Sequence, residues 1–122
     1  MRPLGLIVFL APALASASTL GFVEAKRLAD ENESNLNPQL TSQLLEAQGN
    51  ALKDALASCA QPDMDLSAFT LVFRLNSDGS IAESWREGDT QLALCTHKRL
   101  VSTGFRGKWQ EPFYTSIEMS FH

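Results

Sequence analysis

The apolar residues between positions 38 and 59 recur with the period of an α-helix. Spacings of three and four residues recur among them: Leu40, Leu44, Leu45, Ala51, Leu52, Ala55, Leu56 and Cys59. Asn37 and Pro38 begin this run, and the pair is typical of a helix start, because Asn caps a free backbone N–H and Pro fits the first helical position. Gly49 weakens the middle of the helix by up to about 1 kcal/mol relative to Ala. The pattern predicts an amphipathic helix over residues 38–59 with one buried stripe.

From position 69 the period changes to two, which indicates β-strands. Every second residue from Phe69 to Leu75 is large and apolar, so the first strand has one strongly apolar face. A turn at Asn76-Ser77-Asp78-Gly79 follows, in which the glycine can adopt a positive φ. The second strand, residues 80–87, has only two large apolar side chains. We therefore expect it to be more exposed and to form an edge of the sheet, where its charges limit self-association.

A second helix and a third strand complete the predicted domain. Asp89 or Thr90 can cap a helix that runs through Thr103, and Gly104 follows at the position where a C-terminal glycine is typical. Residues 113–121 then alternate between apolar and polar side chains, which is the clearest strand pattern in the chain. The sequence predicts an α+β domain with the order α-β-β-α-β, in which both helices pack on one face of a three-stranded antiparallel sheet.

The first 17 residues are typical of a secretory signal peptide. Arg2 supplies positive charge, a short apolar core follows, and Ala15-Ser16-Ala17 matches an A-x-A cleavage site before Ser18. The alternative is an uncleaved anchor, which fits less well because polar residues interrupt the apolar run before it is long enough to cross a bilayer. Residues 18–37 are polar and charged, and we expect them to form a flexible leader to a single domain over residues 38–122.

The charge of the chain disfavours some classes of partner. The 122 residues include 10 basic and 14 acidic side chains. Cleavage after Ala17 would remove one basic side chain and leave 105 residues with a net charge of −5. An acidic surface repels nucleic acid and anionic lipid. We therefore expect no nucleic-acid binding and no membrane insertion after signal cleavage.

The two cysteines agree with export. In an oxidising compartment the simplest expectation is that Cys59 and Cys95 form a disulfide. A metal site that adds His97 and His122 is the alternative. It lacks the paired ligand spacing that is usual for zinc, so we expect no metal ion.

The sequence contains no recognisable catalytic motif. Nucleophilic catalysis needs a Ser or Cys beside a base, and no motif of that kind is present. His97 falls on the second predicted helix, where we expect it to be solvated. The carboxylates available for acid–base chemistry fall in turns or on polar faces: Asp63, Asp65, Glu83, Glu87, Asp89, Glu111 and Glu118. With no glycine-rich phosphate loop either, we expect no enzyme activity and no cofactor.

Several features of residues 59–121, taken in order, resemble the C-terminal domain of the TolA and TonB energy-transduction proteins. They are an apolar strand entering the Asp78-Gly79 turn, a helix opening from Gly88-Asp89 to Ala93-Leu94-Cys95, a proline-containing loop, and a last strand ending Met119-Ser120-Phe121. A disulfide cysteine in the second helix is also a feature of the TolA domain. The resemblance implies a periplasmic interaction module without catalytic activity, whose partner is another periplasmic or envelope protein.

The same resemblance implies where a partner would bind. In these families the last strand is the edge that pairs with a strand of the partner, a mode in which backbone hydrogen bonds give affinity and alternate side chains give specificity. The residues that we expect to contact a partner are Phe113, Tyr114, Thr115, Ser116, Ile117, Glu118 and the loop residue Trp109. An alternative function is a periplasmic immunity or inhibitor protein whose loop 108–111 blocks a secreted toxin or a cell-wall hydrolase.

Overall fold

A computed structural model describes residues 20–122, so the expected signal peptide at 1–17 lies outside the described residues. Three helices and three strands follow one another in the order α-α-β-β-α-β. Their bounds are α1 Phe22–Ser34, α2 Pro38–Cys59, β1 Phe69–Leu75, β2 Ile81–Glu87, α3 Gln91–Thr103 and β3 Phe113–Met119. The predicted α+β class and the three-stranded antiparallel sheet are confirmed.

The sheet has the strand order β2-β1-β3, so β1 is central and the other two strands are its edges. Both neighbours pair antiparallel with β1; Val72 lies opposite Trp85 on one side and opposite Ser116 on the other. The register of β1 and β2 shifts between Arg74 and Leu75, where the bulge leaves Ala82 without a paired residue. The prediction that β2 is an edge strand is confirmed.

Helices α2 and α3 cover one face of the sheet, as predicted. The apolar side chains of β1 on this face, including Leu71 and Phe73, are fully buried against Leu44 of α2 and Leu92 and Leu100 of α3. Gly49 does not break α2, which is continuous through this position. Because the buried stripe of the helix continues on both sides of the glycine, packing outweighs the cost of the weak helix former.

The segment that we expected to be a flexible leader forms helix α1 instead, and it covers the opposite face of the sheet. Ala25 and Ala29 are completely buried there with Val72 of β1. Trp85 and Tyr114 pack around the same cluster. The small side chains let the backbone of α1 approach the sheet, and Phe22 at the start of the helix packs against the same cluster.

Capping side chains define where α2 and α3 begin. Asn37 Oδ1 accepts a hydrogen bond from the N–H of Leu40 at 2.8 Å, and Thr90 Oγ1 accepts one from the N–H of Ala93 at 3.0 Å. The predicted cap at Asn37 and one of the two predicted caps of α3 are therefore confirmed. Each satisfies an N–H group that the helix itself leaves free.

Two glycines bring the β1–β2 turn against the end of α3. Gly79 has φ +91°, and a Cβ there would lie 1.9 Å from the carbonyl oxygen of Phe105. Gly104 has φ +67° and faces the same backbone, since the N–H of Phe105 donates to Gly79 O at 2.9 Å. Any side chain at Gly79 would separate the turn from the helix end.

The disulfide between Cys59 and Cys95 is confirmed, and it joins the last residue of α2 to α3. The two cysteines are 36 residues apart, so the bond closes a loop that contains β1 and β2. It fixes the two helices of one face to each other across the strands that they cover.

Replacing both cysteines with serine should lower the free energy of unfolding by about 4 kcal/mol, because the bond restricts a long loop of the unfolded chain. Chemical denaturation of the variant and of the parent under non-reducing conditions measures this change. Addition of a reductant should lower the parent to the level of the variant. An equal midpoint for all three samples would show that the bond contributes nothing to stability.

Ala29→Leu should destabilise the protein by about 1–3 kcal/mol, because the extra side chain has no space between α1 and Val72. The matched control is Ala57→Leu, the same change at an exposed position of α2. Thermal or chemical denaturation compares the two variants. Equal stability of both would mean that α1 is not docked on the sheet.

Candidate functional site

The outer edge of β3 is occupied by side chains of α1. The N–H of Tyr114 donates to Asn32 Oδ1 at 2.8 Å, and the N–H of Ser116 donates to Glu33 Oε2 at 2.9 Å. Gln48 of α2 lies beside them, with its Nε2 3.4 Å from the carbonyl oxygen of Ser116. These side chains take the positions that the backbone of a fourth strand would take. Part of the edge on which strand addition was expected is therefore already paired within the chain.

The side chains expected to contact a partner have roles inside the fold. Phe113, Thr115 and Ile117 are buried on the face covered by α2 and α3. Tyr114 is half-buried, with its ring 6.0 Å from the ring of Trp85. Ser116 contributes backbone groups to the paired edge, and Glu118, which is exposed, forms an ion pair with Lys26 at 2.7 Å. The structure brings these residues together along one strand, and whether a partner contacts them stays a prediction.

Trp109 is only 6% exposed, so its side chain belongs to the core. Its ring stacks on Phe113 at 5.5 Å, and its Nε1 donates to the carbonyl oxygen of Phe105 at 3.0 Å. The sequence pattern could not show whether Trp109 is buried or exposed for a partner, because the contacts that bury its side chain come from residues before and after the loop.

The outer edge of β2 differs from that of β3, because the outward backbone groups of β2 are not hydrogen-bonded within residues 20–122. The backbone N–H groups of Tyr114 and Ser116 point outward from β3. Their partners in β1, Arg74 and Val72, therefore direct their own backbone groups away from β3 and toward β2. They pair there with Trp85 and Glu83. The alternate residues of β2, Ser84 and Arg86, therefore direct their N–H and C=O groups outward. Within residues 20–122, no hydrogen bond reaches these outward groups.

A short chain of polar side chains lies along the same strand. His97 of α3 has its Nδ1 3.1 Å from a guanidinium nitrogen of Arg86 and its Nε2 2.8 Å from Ser84 Oγ. A guanidinium can only donate, so Nδ1 accepts and Nε2 carries the proton that is donated to Ser84. His97 is therefore half-buried and bonded on both sides, and not solvated as the sequence suggested.

This arrangement does not activate Ser84 as a nucleophile. A serine of that kind must donate its proton to the histidine nitrogen that it contacts. Here the histidine is the donor and Arg86 holds it in that tautomer. Burial lowers the pKa of His97 below its ordinary value, and the positive charge of Arg86 lowers it further. The three residues thus fasten α3 to β2.

Two further carboxyl groups in the described residues have structural partners. Ser67 donates to Asp65 and Ser80 donates to Asp78, which lowers the pKa of both carboxyl groups and stabilises the two turns. The cysteines are bonded to each other and supply no thiolate. Within residues 20–122, no group of three His, Cys, Asp or Glu side chains is arranged to hold a metal ion.

Comparisons with protein-family models, with curated proteins and with solved structures gave no match to this chain. The resemblance to the TolA and TonB domains thus rests on the sequence features given above. Among the helices described, none is both long and apolar enough to cross a membrane.

Acidification should destabilise the parent protein more than the His97→Gln variant. Because the pKa of His97 is lower in the folded state than in the unfolded chain, protonation favours unfolding. The stability that the neutral imidazole provides is complete above about pH 6.5, the unfolded pKa, and is lost as the pH falls through the folded pKa. Denaturation midpoints at about pH 7.5 and about pH 5.5 measure the difference. Parallel pH dependence of the two proteins would contradict a lowered pKa.

Proposed function

We propose that this protein is a non-catalytic interaction module that binds an extended segment of another protein by adding it to a sheet edge. The observation that carries the proposal is the unpaired outer edge of β2. A strand whose outward N–H and C=O groups lack partners is a template for a further strand. Export to the periplasm, expected from the first 17 residues, would place the partner among periplasmic or envelope proteins.

The contrast between the two edges supports β2 as the first choice. Strand addition along the whole of β3 would require Asn32 and Glu33 to leave the amides of Tyr114 and Ser116. Addition to β2 displaces no hydrogen bond of the described residues. Strand addition at β3, which the resemblance to TolA and TonB implies, thus costs more free energy than addition at β2. Strand addition at β3 stays a prediction for a state in which α1 has moved away.

The side chains beside the β2 edge restrict what can pair with it. Glu83 is paired with Arg74 at 3.2 Å, whereas Glu87 is exposed at the end of the strand and takes part in no ion pair of the described residues. Arg86 lies on the opposite face, where its guanidinium contacts His97 and Gly88. A second copy that paired antiparallel about Trp85 would place Glu83 opposite Glu87 twice, which is unfavourable. A different protein with a basic residue near Glu87 fits better.

Ser84→Pro should abolish partner capture, whereas Ser84→Ala should retain it. Proline removes the outward N–H of this residue, and alanine keeps it. Both variants lose the hydroxyl that contacts His97, so the comparison isolates the backbone group. Affinity capture from periplasmic extract, followed by mass spectrometry, shows which proteins are bound by the parent and Ser84→Ala and lost with Ser84→Pro.

The comparison requires that both variants have the far-ultraviolet circular dichroism of the parent. Proline is compatible with an outward position of an edge strand, so Ser84→Pro should fold. Glu83→Pro, which removes an inward N–H, should destabilise the sheet and serves as the contrast. Equal capture by folded Ser84→Pro and Ser84→Ala would contradict strand addition at β2.

The inhibitor function is the second candidate, because the loop 108–111 that would block a cleft is held by hydrogen bonds at two points. Trp109 N–H donates to Ser77 O at 2.9 Å, and Ser77 N–H donates to Glu111 Oε1 at 3.0 Å. Gln110, between these two points, and Lys108, just before the first of them, are exposed. A rigid exposed loop loses little entropy when it enters a cleft. Loss of capture in a Lys108→Ala, Gln110→Ala double variant, with Ser84→Pro unaffected, would favour this function.

A further inference from the structure

A groove of about 300 Å³ lies between α1 and α2, next to the end of β3. We call it the α1–α2 slot. Asp30 and Glu33 of α1 form one wall, Leu44 and Leu45 of α2 form the other, and Leu36 lies in the turn that joins the two helices. Ser116 and Glu118 of β3 form the remaining side. The slot is on the opposite side of the sheet from the open edge of β2.

Leu45 gives the slot an exposed apolar surface. Its side chain is 62% exposed, although the adjacent Leu44 is buried in the core. Leu36 is half-buried and packs against the same core cluster. An exposed leucine is ordinary when it stands alone, but here it borders a concave surface with a second apolar side chain. The slot therefore offers a place for one apolar side chain of a ligand.

The charges around the slot are mostly negative. Three carboxylates, Asp30, Glu33 and Glu118, face a single cation, Lys26, which forms ion pairs with Asp30 and Glu118. Glu33 takes part in no ion pair of the described residues. It is half-buried and accepts hydrogen bonds from Ser116 N–H and Thr115 Oγ, which fix the carboxylate in place. A fixed carboxylate without a cation is complementary to a basic side chain.

From these observations we infer that the α1–α2 slot binds an extended segment of another protein that has an Arg or Lys next to an apolar residue. The basic side chain pairs with Glu33, and the apolar side chain packs on Leu45 and Leu36. The outward backbone groups of Glu118, which no hydrogen bond of residues 20–122 reaches, are available to the backbone of the segment. The slot and the β2 edge are independent sites, so one can be disproved without the other.

Binding is tested with two fluorescein-labelled peptides and the full mature chain. Both peptides alternate Thr and Val and contain one Leu; they differ at the residue before the Leu, which is Arg in one and Glu in the other. Fluorescence polarisation should show that the Arg peptide binds at least about tenfold more tightly, the difference expected for a charge-assisted hydrogen bond. The preference should fall as the salt concentration rises.

Matched variants assign the binding to the slot. Glu33→Gln retains an oxygen that can accept from Ser116 and should remove most of the preference for Arg. Glu31→Gln removes the same charge from an exposed position of α1 that does not line the slot, and it should leave the preference unchanged. Leu45→Ser should weaken binding of the Arg peptide several-fold. Leu94→Ser, at an exposed leucine of α3, should not.

Three results of the polarisation measurements would overturn the proposal. They are equal affinity of the two peptides, no binding of the Arg peptide at millimolar concentration, and equal effects of Glu33→Gln and Glu31→Gln. A concentration-dependent dimer that Leu45→Ser dissociates would show that a second copy occupies the slot, which would also overturn it. The slot variants leave the β2 edge intact, and Ser84→Pro changes that edge but not the slot. Ser84→Pro should therefore leave peptide binding unchanged; a loss would place the peptide on β2 and not in the slot.

Discussion

Two hydrogen bonds that backbone amides of β3 donate to side chains of α1 determine which surfaces of this protein are available. A three-stranded sheet has two faces and two edges to cover, and α2 with α3 can cover only one face. Helix α1 covers the second face through Ala25 and Ala29, and its end closes part of one edge through Asn32 and Glu33. Without α1, Val72, Trp85 and the β3 edge would all face water. Within residues 20–122, the outer edge of β2 and the end of the β3 edge remain unpaired.

This division gives the two sides of the sheet different chemistry. The β2 side offers backbone groups, with the Ser84–His97–Arg86 chain holding α3 in place behind them. The β3 side offers a groove in which a fixed carboxylate, Glu33, lies close to an exposed leucine. In the two proposals, a partner that pairs with β2 is recognised mainly by its ability to become a strand, and a partner in the α1–α2 slot is recognised by its side chains. The proposed module would thus discriminate between two extended segments.

The part of the fold that was predicted from the sequence is the part built from large apolar residues. The periods of α2, β1 and β3 were clear because Leu and Phe carry them, and the caps at Asn37 and Thr90 follow local chemistry. Helix α1 was missed because its buried contacts are made by alanines, which look neutral in a polar segment. A signal was nevertheless present. Val72, Trp85 and Tyr114 lie on the face of the sheet opposite to the one that α2 and α3 cover, and three such residues need a cover.

The candidate site was harder to predict than the fold, for a related reason. Alternation along β3 shows which side chains share a face, but it does not show that a distant helix end occupies the outward amides. The pairing of Tyr114 with Asn32 joins residues 82 positions apart. The burial of Trp109 likewise depends on its contact with Phe113 after the chain has turned. Contacts of this kind follow from the packed structure, and no local pattern specifies them.

Helix α1 closes the β3 edge at the amides of Tyr114 and Ser116, whereas the β2 edge is open within residues 20–122. Hydrogen exchange of individual backbone amides, measured by NMR on the purified protein without a partner, tests this arrangement most directly. The amides of Tyr114 and Ser116 should exchange slowly, as should the inward amides of Glu83 and Trp85, whereas the amides of Ser84 and Arg86 should exchange rapidly. Rapid exchange at Tyr114 and Ser116, or slow exchange at Ser84 and Arg86, would contradict the account.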